Sequence, residues 1–308
     1  MSFHLIGHRS ELRNPGDYVR LPMAPRDVVA YNDNGTVVCI DGVCPHRGAR
    51  MFREFRGNGK AVCPYHGWAF RGGEMVVPNR EAYPAVVPGM GGYGHEWFGD
   101  FLFSLDEGGC PTDADGFVKF LTDLSPRIDS LYDWDSFVID CPWQVAVENA
   151  LEDHHIPKVH ADTFAPLGLR RTDQYRIGSW SMATYDITDK RASKMLSGMQ
   201  RFLEFGTGLR YFHLFLGPHA CLSSVGGITF SIQHYLPEGD RTRFITRMYK
   251  GKTVPTAPDL EDFYRSAFQF NQKVFDQDAE VCEGIRTPGY ALSRDEARIK
   301  WFRESYPW

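Results

Sequence analysis

Two short stretches carry residues whose types and spacing suit metal or redox chemistry. Cys44-x-His46 is followed, after the sixteen residues 47 to 62, by Cys63-x-x-His66, and the two pairs sit in matched phrases, CPHRGARMF and CPYHGWAF. Further on, Asn149 to His160 reads NALEDHHIPKVH and packs five potential metal-binding residues, Glu152, Asp153, His154, His155 and His160, into nine positions. A run of ionisable residues is by itself usually a solvated helix face, so the second stretch needs support from the rest of the chain.

Two cysteines and two histidines on two loops can make a structural zinc site, which takes four N and S ligands. They can also hold a 2Fe-2S cluster in which two histidines replace two cysteines on one iron, raising its reduction potential. Pro45 and Pro64, and Gly48 and Gly67, flank the ligands in the same register. That symmetry suits two alike, tight turns whose backbone N–H groups approach and bond the cluster sulfurs, which favours iron-sulfur over zinc. Seven cysteines (Cys39, Cys44, Cys63, Cys110, Cys141, Cys221, Cys282) are an odd number scattered through a long chain, so paired ones read as metal ligands rather than as a disulfide framework.

The elements that must position these groups are partly legible. RDVVAYNDNGTVVCIDGVC alternates β-branched residues around Asp33-Asn34-Gly35 and predicts a hairpin. Gly- and Pro-rich sequence from about 78 to 116, with a short apolar alternation at 97 to 105, predicts the end of a β-rich first domain near 110 to 118. Strands are expected at YDITDK, YFHLFL, ITFSIQHYL and RTRFITRMY, the last two joined through Pro237 to Asp240. A helix over Trp143 to Ile156 should end at Pro157, and that kink would swing His160 back towards His155, since unbroken helix would leave them about 140° apart. A second helix over Ala257 to Arg286, opened by a capping box from Thr256 to Asp259, carries Phe268, Val274, Phe275, Val281, Cys282 and Ile285 on one stripe. Asp278 falls inside that stripe, and a carboxylate on a buried face is costly unless it is paired or bound to a cation.

CPHRGA and CPYHGW at this separation resemble the Rieske cluster of the Rieske non-heme iron oxygenases, specifically their terminal oxygenase (alpha) component, and HLIGHRSELRNPGDYV resembles that family's opening strands. The resemblance implies a 2Fe-2S cluster with Cys44 and Cys63 on one iron and His46 and His66 on the other. It also implies a register of Asn, an acid three positions on, a His three after that and a second His five later, which falls at Asn149, Glu152, His155 and His160. The family's third ligand is an aspartate in a late helix, preceded by an acid or amide and followed by V-x-E, as in QDAEVCE with Asp278. His155, His160 and Asp278 are thus the expected ligands of a mononuclear Fe(II), a set of two histidines and one carboxylate that leaves positions open for dioxygen and substrate.

Asn149 and Glu152 are the expected catalytic residues. By resemblance, Glu152 bridges an iron-binding histidine to a cluster-binding histidine of a neighbouring subunit. Most of the family has Asp there, and a subset that includes oxygenases of quaternary ammonium compounds has Glu. Asp153, one step away, takes that part if the register shifts. His154 lies about 100° from His155 around a helix and reads as a bystander, and His213, His219 and His234 read as structural histidines in or near strands.

The implied fold is α+β, with an N-terminal β-rich Rieske domain over 1–115 and a catalytic domain over 116–308 whose antiparallel sheet is surrounded by helices. The implied activity is oxygenation of a small organic substrate with O2, with monooxygenation, demethylation or N-oxygenation favoured over cis-dihydroxylation, in a homotrimer, and with the pocket lined from 195 to 235. An electron carrier or redox sensor is the other reading, but it has no need of the His155, His160 and Asp278 set. Electrons from NAD(P)H would come through a separate reductase or ferredoxin, because GMGGYG at 89 to 94 lies between no clear strand and helix and no other dinucleotide or flavin motif is visible. Arg47, Arg50, Arg53, Arg56 and Lys60 between the cluster loops could steer such a donor.

A net charge of -5 with pI near 6.1 argues against nucleic acid as a partner. No apolar run approaches the ~18 residues that span a bilayer, and MSFHLIGHRS lacks a signal-peptide layout, so a cytoplasmic protein without membrane contact is expected.

Overall fold

Short alternating strands build the first of two units, Met1–Cys110 and Pro111–Trp308, in a computed structural model that describes residues 3–23, 26–83, 87–105, 115–205, 208, 210–289 and 291–308. The strands are β1 (Phe3–His8), β2 (Asp17–Met23), β3 (Arg26–Asp33), β4 (Thr36–Asp41), β5 (Arg56–Asn58), β6 (Ala69–Arg71), β7 (Glu74–Val76), β8 (Gly92–Tyr93), β9 (His95–Phe98) and β10 (Phe101–Leu105). They form antiparallel sheets in the orders β5-β2-β3-β4-β8 and β1-β10-β9, with β6 and β7 as a separate hairpin. The expected β3–β4 hairpin turns at Asn34 and Gly35, both at positive φ (55° and 100°), and the Asn32 side-chain oxygen accepts from the Gly35 amide at 2.6 Å. Cys44 and Cys63 are buried in the same core cluster as Val29, Ile40, Met51, Phe52 and Trp68, so the cluster loops are anchored by packing at their bases.

The second unit comprises α1 (Asp115–Leu124), β11 (Ile128–Ile139), α2 (Trp143–Leu151), α3 (Ile156–Val159), β12 (Leu169–Ile177), β13 (Trp180–Ile187), α4 (Lys190–Gln200), β14 (Arg210–Phe215), β15 (Ala220–Val225), β16 (Thr229–Glu238), β17 (Arg241–Gly251), α5 (Glu261–Cys282) and α6 (Ala297–Ser305). Its seven strands make one antiparallel sheet in the order β11-β17-β16-β15-β14-β13-β12. Val147 and Leu151 of α2, Cys282 of α5 and Phe302 of α6 pack on Phe215, Cys221, Tyr235 and Phe244 of that sheet. Arg303 grips Glu148 with two hydrogen bonds of 2.6 and 2.7 Å, tying α6 to α2. The α+β class and the sheet-and-helix catalytic architecture are therefore as expected, and the predicted strands at 211–216, 228–236 and 241–249 match β14, β16 and β17, whereas the one at 185–190 overlaps only the end of β13, because Asp189 caps α4 and Lys190 opens it. The boundary expected after 115 adjoins residues 106–114, which lie outside the described residues. No helix among the described residues is long and apolar enough to cross a membrane.

Both helix readings need correction. The first helix stops at Leu151, not at Pro157, because Glu152 is extended (φ -120°, ψ 166°). Pro157 instead sits in the first turn of α3, where its missing N–H costs nothing. The second helix is shorter than 257–286, and the capping box does not form; Asp259 accepts from the Glu261 amide at 3.0 Å instead. Val281 and Ile285 are 42% exposed, so the buried stripe is carried by Tyr264, Phe268, Val274 and Cys282, and Ile285 lies beyond the helix end.

Candidate metal centres

The two cluster loops are near copies in three dimensions. The Cys44 amide donates to the Ala49 carbonyl at 2.8 Å, and the Cys63 amide to the Trp68 carbonyl at 2.7 Å. The Gly48 and Gly67 amides each reach back to the cysteine carbonyl at 3.0 Å. Both glycines hold positive φ, 71° and 72°, which only a residue without Cβ adopts cheaply, so each loop can close at that point. The result is a Cys44–Cys63 pair in side-chain contact and a His46–His66 pair with ring centroids 4.6 Å apart. Burial raises the Cys44 thiol above its ordinary value, and the backbone N–H groups of His46 and Arg47 donate to its sulfur and pull the other way.

Two observations bear on whether these residues fit a 2Fe-2S cluster. His46 Nδ1 is buried without a hydrogen-bond partner, as a ring nitrogen committed to a ligand bond would be. The donors also fall into a sulfur pair and a nitrogen pair, which is what two irons with unlike ligands require. The residues fit. Trp68 stacks on His46 (4.6 Å, 6° between planes) and holds the ring in place.

The second set is assembled by the break between α2 and α3 together with α5. His155 and His160 flank the single turn of α3, and their rings lie 5.0 Å apart. Asp278 Oδ1 stands 3.0 Å from His160 Nε2 and 3.5 Å from His155 Nε2. One donor atom from each of the three lies within 4.8 Å of the others. The outer ring nitrogens are placed to match. His155 Nδ1 faces Glu152 Oε1, and His160 Nδ1 faces Gln277 Oε1 at 2.9 Å, so with a cation between the rings each would keep its hydrogen on Nδ1 and leave the Nε2 lone pair for the metal. Two imidazole lone pairs and a carboxylate converging on one point are a donor set for a divalent cation, so these residues also fit the mononuclear iron.

The supports around the set are specific. Glu152, freed by the helix break, also accepts from the His154 and His155 amides. Burial pushes its carboxyl up, but the bonds from the His155 ring and these two amides outweigh burial and leave it below the ordinary value. Asn149 donates to Asp278 Oδ1 at 2.8 Å. Gln277 accepts from Thr163 Oγ1 and donates to Asp162, both at 2.8 Å, and Asp162 is paired with Lys273. Asp153 turns elsewhere, to Arg171 at 3.5 Å and to the Tyr185 hydroxyl. His154 is exposed.

A cavity of about 70 Å³ adjoins the set. Its sheet side is lined by Tyr185, Tyr211, His213, Ser223, Gln233 and Tyr235. The expectation that 195–235 lines the pocket is met only from 211 onward; Met195 and Leu196 line a separate apolar cavity with Phe263 and Phe270. His213, read from sequence as structural, faces the iron-site cavity, whereas His219 packs on Trp143 and His234 bonds Arg247. Tyr185 and Arg298 were missed altogether, and Gln277 was read only as the amide that precedes Asp278. The available signal was strand alternation: Tyr211, His213 and Phe215 share one face of β14, and a histidine on a buried face asks for a purpose.

The sequence and the fold match those of known proteins. Residues 2–86 match the model of the Rieske [2Fe-2S] domain, and residues 127–306, more than half of the chain, match that of the ring hydroxylating alpha subunit (catalytic domain). The chain is 30% identical over 174 residues to a carnitine monooxygenase oxygenase subunit of Acinetobacter baumannii, covering 52% of this chain and 46% of that one. It is 24% identical over 188 residues to the 2-halobenzoate 1,2-dioxygenase large subunit of Burkholderia cepacia, covering 54% and 40%. These matches thus span less than half of each relative's length. Among solved structures, a quaternary ammonium Rieske monooxygenase in complex with an inhibitor superposes with a TM-score of 0.78 at 18% identity, covering 98% of this chain and 87% of that one.

Proposed function

We propose, from the premise that this chain belongs to the ring-hydroxylating alpha subunit family and carries a Rieske [2Fe-2S] domain, that it is a terminal oxygenase acting on a small organic molecule. The observation that carries this reading is the convergence of His155 Nε2, His160 Nε2 and Asp278 beside a cavity, which an electron carrier would not need. When bound, a 2Fe-2S cluster supplies single electrons, and an Fe(II) with two histidines and one carboxylate leaves positions open for O2 and substrate.

The chain's own residues do the rest. Cys44, Cys63, His46 and His66 hold the cluster, and His155, His160 and Asp278 hold the iron. Glu152 fixes the orientation and tautomer of His155, Gln277 does the same for His160, and Asn149 fixes the Asp278 oxygen. The finer assignments follow the same premise. Electrons reach the chain from NAD(P)H through a separate reductase or ferredoxin. The protein assembles as a homotrimer in which Glu152 links His155 to a cluster histidine of the neighbouring subunit. Monooxygenation, demethylation or N-oxygenation is favoured over cis-dihydroxylation, because a Glu at 152 belongs to the subset with quaternary ammonium oxygenases and the carnitine monooxygenase subunit is among the relatives.

Iron analysis combined with EPR of the reduced protein tests the proposal. The expected result is about three irons per chain with a Rieske signal. Zinc in their place, with no such signal, would overturn it.

A further inference from the structure

Behind the sheet side of the iron-site cavity stands a buried arginine without an ion pair. Arg298 of α6 is 2% exposed, and among the described residues it pairs with no carboxylate. Its guanidinium donates only to neutral acceptors: Ser181 Oγ at 3.1 Å, the Ser181 carbonyl at 3.4 Å, and His213 Nδ1 from both terminal nitrogens at 3.1 Å. The carboxylate whose field reaches it, Asp153, is already engaged by Arg171 and by the Tyr185 hydroxyl. Burial keeps Tyr185, Tyr211 and the Cys221 thiol protonated, with Cys221 pushed up to about 12, so none of them supplies a negative charge. A guanidinium does not escape its charge by losing a proton. Removing it from water is expensive unless a counter-charge meets it, and a neutral side chain of similar volume would pack α6 onto the sheet more cheaply.

Arg298 also sets what its neighbour offers to the cavity. Because two N–H groups converge on His213 Nδ1, that nitrogen is an acceptor and the ring proton sits on Nε2. Burial and the adjacent guanidinium both hold the His213 ring neutral. His213 is 8% exposed, lines the cavity, and its Nε2 has no partner among the described residues. Tyr211 and Tyr235 line the same cavity, and their hydroxyls likewise have no partner among the described residues. The sheet side therefore turns three unpartnered donors to the cavity, against one unpartnered acceptor, Gln233 Oε1, and has a positive charge behind one of the donors.

We propose that this wall anchors an anionic group of the substrate, a carboxylate in the simplest case, with His213 as the contact and Arg298 as the positioning residue that supplies the balancing charge. The proposal deepens the oxygenase reading and rests on it for the identity of the metal facing the substrate. A neutral carbonyl would satisfy the donors but leave the guanidinium unbalanced; a carboxylate answers both. The acid end of the molecule then lies at the sheet, and the atom to be oxidised faces His155, His160 and Asp278. The substrate class is a small organic acid rather than a plain hydrocarbon.

Isothermal titration of the purified protein with acetate, propionate and benzoate, each beside its uncharged amide, tests this directly. A carboxylate can also ligate iron, so each titration is run before and after chelation of the mononuclear metal. The acid should bind at least about tenfold more tightly than its amide for one or more pairs, with or without the metal. His213→Phe should remove that preference, weakening the acid more than the amide, and His213→Gln, which keeps an N–H donor, should recover part of it. Retention of iron at the mononuclear site before chelation shows that the catalytic unit of each variant is folded. Equal binding of acid and amide, no binding of any acid, or an acid preference that disappears with the metal would each overturn the proposal. Failure of the oxygenase reading is separate, since it would appear as missing iron and a missing Rieske signal whatever the titrations show.

Discussion

The cluster loops and the proposed iron set hold their candidate metal ligands still by opposite means. In the loops, all four ligands lie between residues 44 and 66, and each pair takes its geometry from one tight turn closed by the same hydrogen bonds and a glycine at the same φ. In the iron set, His155 and His160 come from a helix break and Asp278 from α5, and their geometry depends on the packing of α2 and α5 over the sheet and on side chains that grip each ring. A site made by one turn carries its own scaffold, whereas a site made by several elements borrows it. Substitutions should therefore fail locally and completely in the first, and by degrees through the supports in the second.

The largest effects test whether the two sites are independent. Cys63→Ser should abolish the visible absorption of the cluster. Asp278→Ala should leave that absorption intact while substrate-dependent oxygen uptake falls by about a thousandfold or more, because one of three ligands is gone. Absorption spectra and oxygen-electrode rates of the two variants decide the matter. If Asp278→Ala also loses the cluster signal, the two scaffolds are not separate.

Next in size is Glu152, a support without being a ligand. Glu152→Gln keeps the size but weakens the acceptor facing His155 Nδ1, so both metals should stay loaded while coupled turnover falls about 10–100-fold. Asp153→Asn, altering a group that points to Arg171 and Tyr185, should cost much less. The reverse ranking would move the bridging role to Asp153.

This contrast also explains what could be read from the sequence. The pairing of Cys44 with Cys63 and of His46 with His66 was legible because the candidate ligands, prolines and glycines of one turn are contiguous, so spacing is geometry. His155, His160 and Asp278 needed a family register, since nothing local says that α2 stops at Leu151. The extended Glu152 that frees its carboxylate is a tertiary outcome, and proline at 157 suggested a break five residues too late. The bond of Gln277 to His160 and the place of Arg298 beside His213 were invisible for the same reason: these partners lie 117 and 85 residues apart in the chain.

A smaller effect sharpens the idea of a borrowed scaffold. Gln277→Leu leaves every ligand in place but removes the acceptor on His160 Nδ1 and strands Thr163 Oγ1 and Asp162. Retention of iron at the mononuclear site during dialysis against a chelator should weaken about tenfold, with the cluster unaffected. Retention equal to the parent protein would mean that packing alone holds His160.

The smallest effect concerns the surface beside the cluster loops. Of the five basic residues expected to steer an electron donor, Arg56 is half-buried against Glu11 at 3.5 Å, and Arg50 stands 3.8 Å from Asp27. Arg47, Arg53 and Lys60 are exposed and make no ion pair among the described residues, so their charge is free to act at a distance. Arg53 and Lys60 lie outside the two turns that carry the ligands, and changing both to Gln should leave the absorption spectrum unaltered. Reduction of the cluster by an acidic ferredoxin should then slow by about two- to fivefold at low ionic strength. Above roughly 0.5 M salt, where the screening length falls to a few ångströms, parent and variant should converge. Steering acts on the encounter and not on the bound complex, so the loss should appear in the second-order rate constant and fade as the donor saturates the protein. A parent rate that does not vary with salt would make this patch a solvated surface, and docking would then have to rest on shape and apolar contact instead.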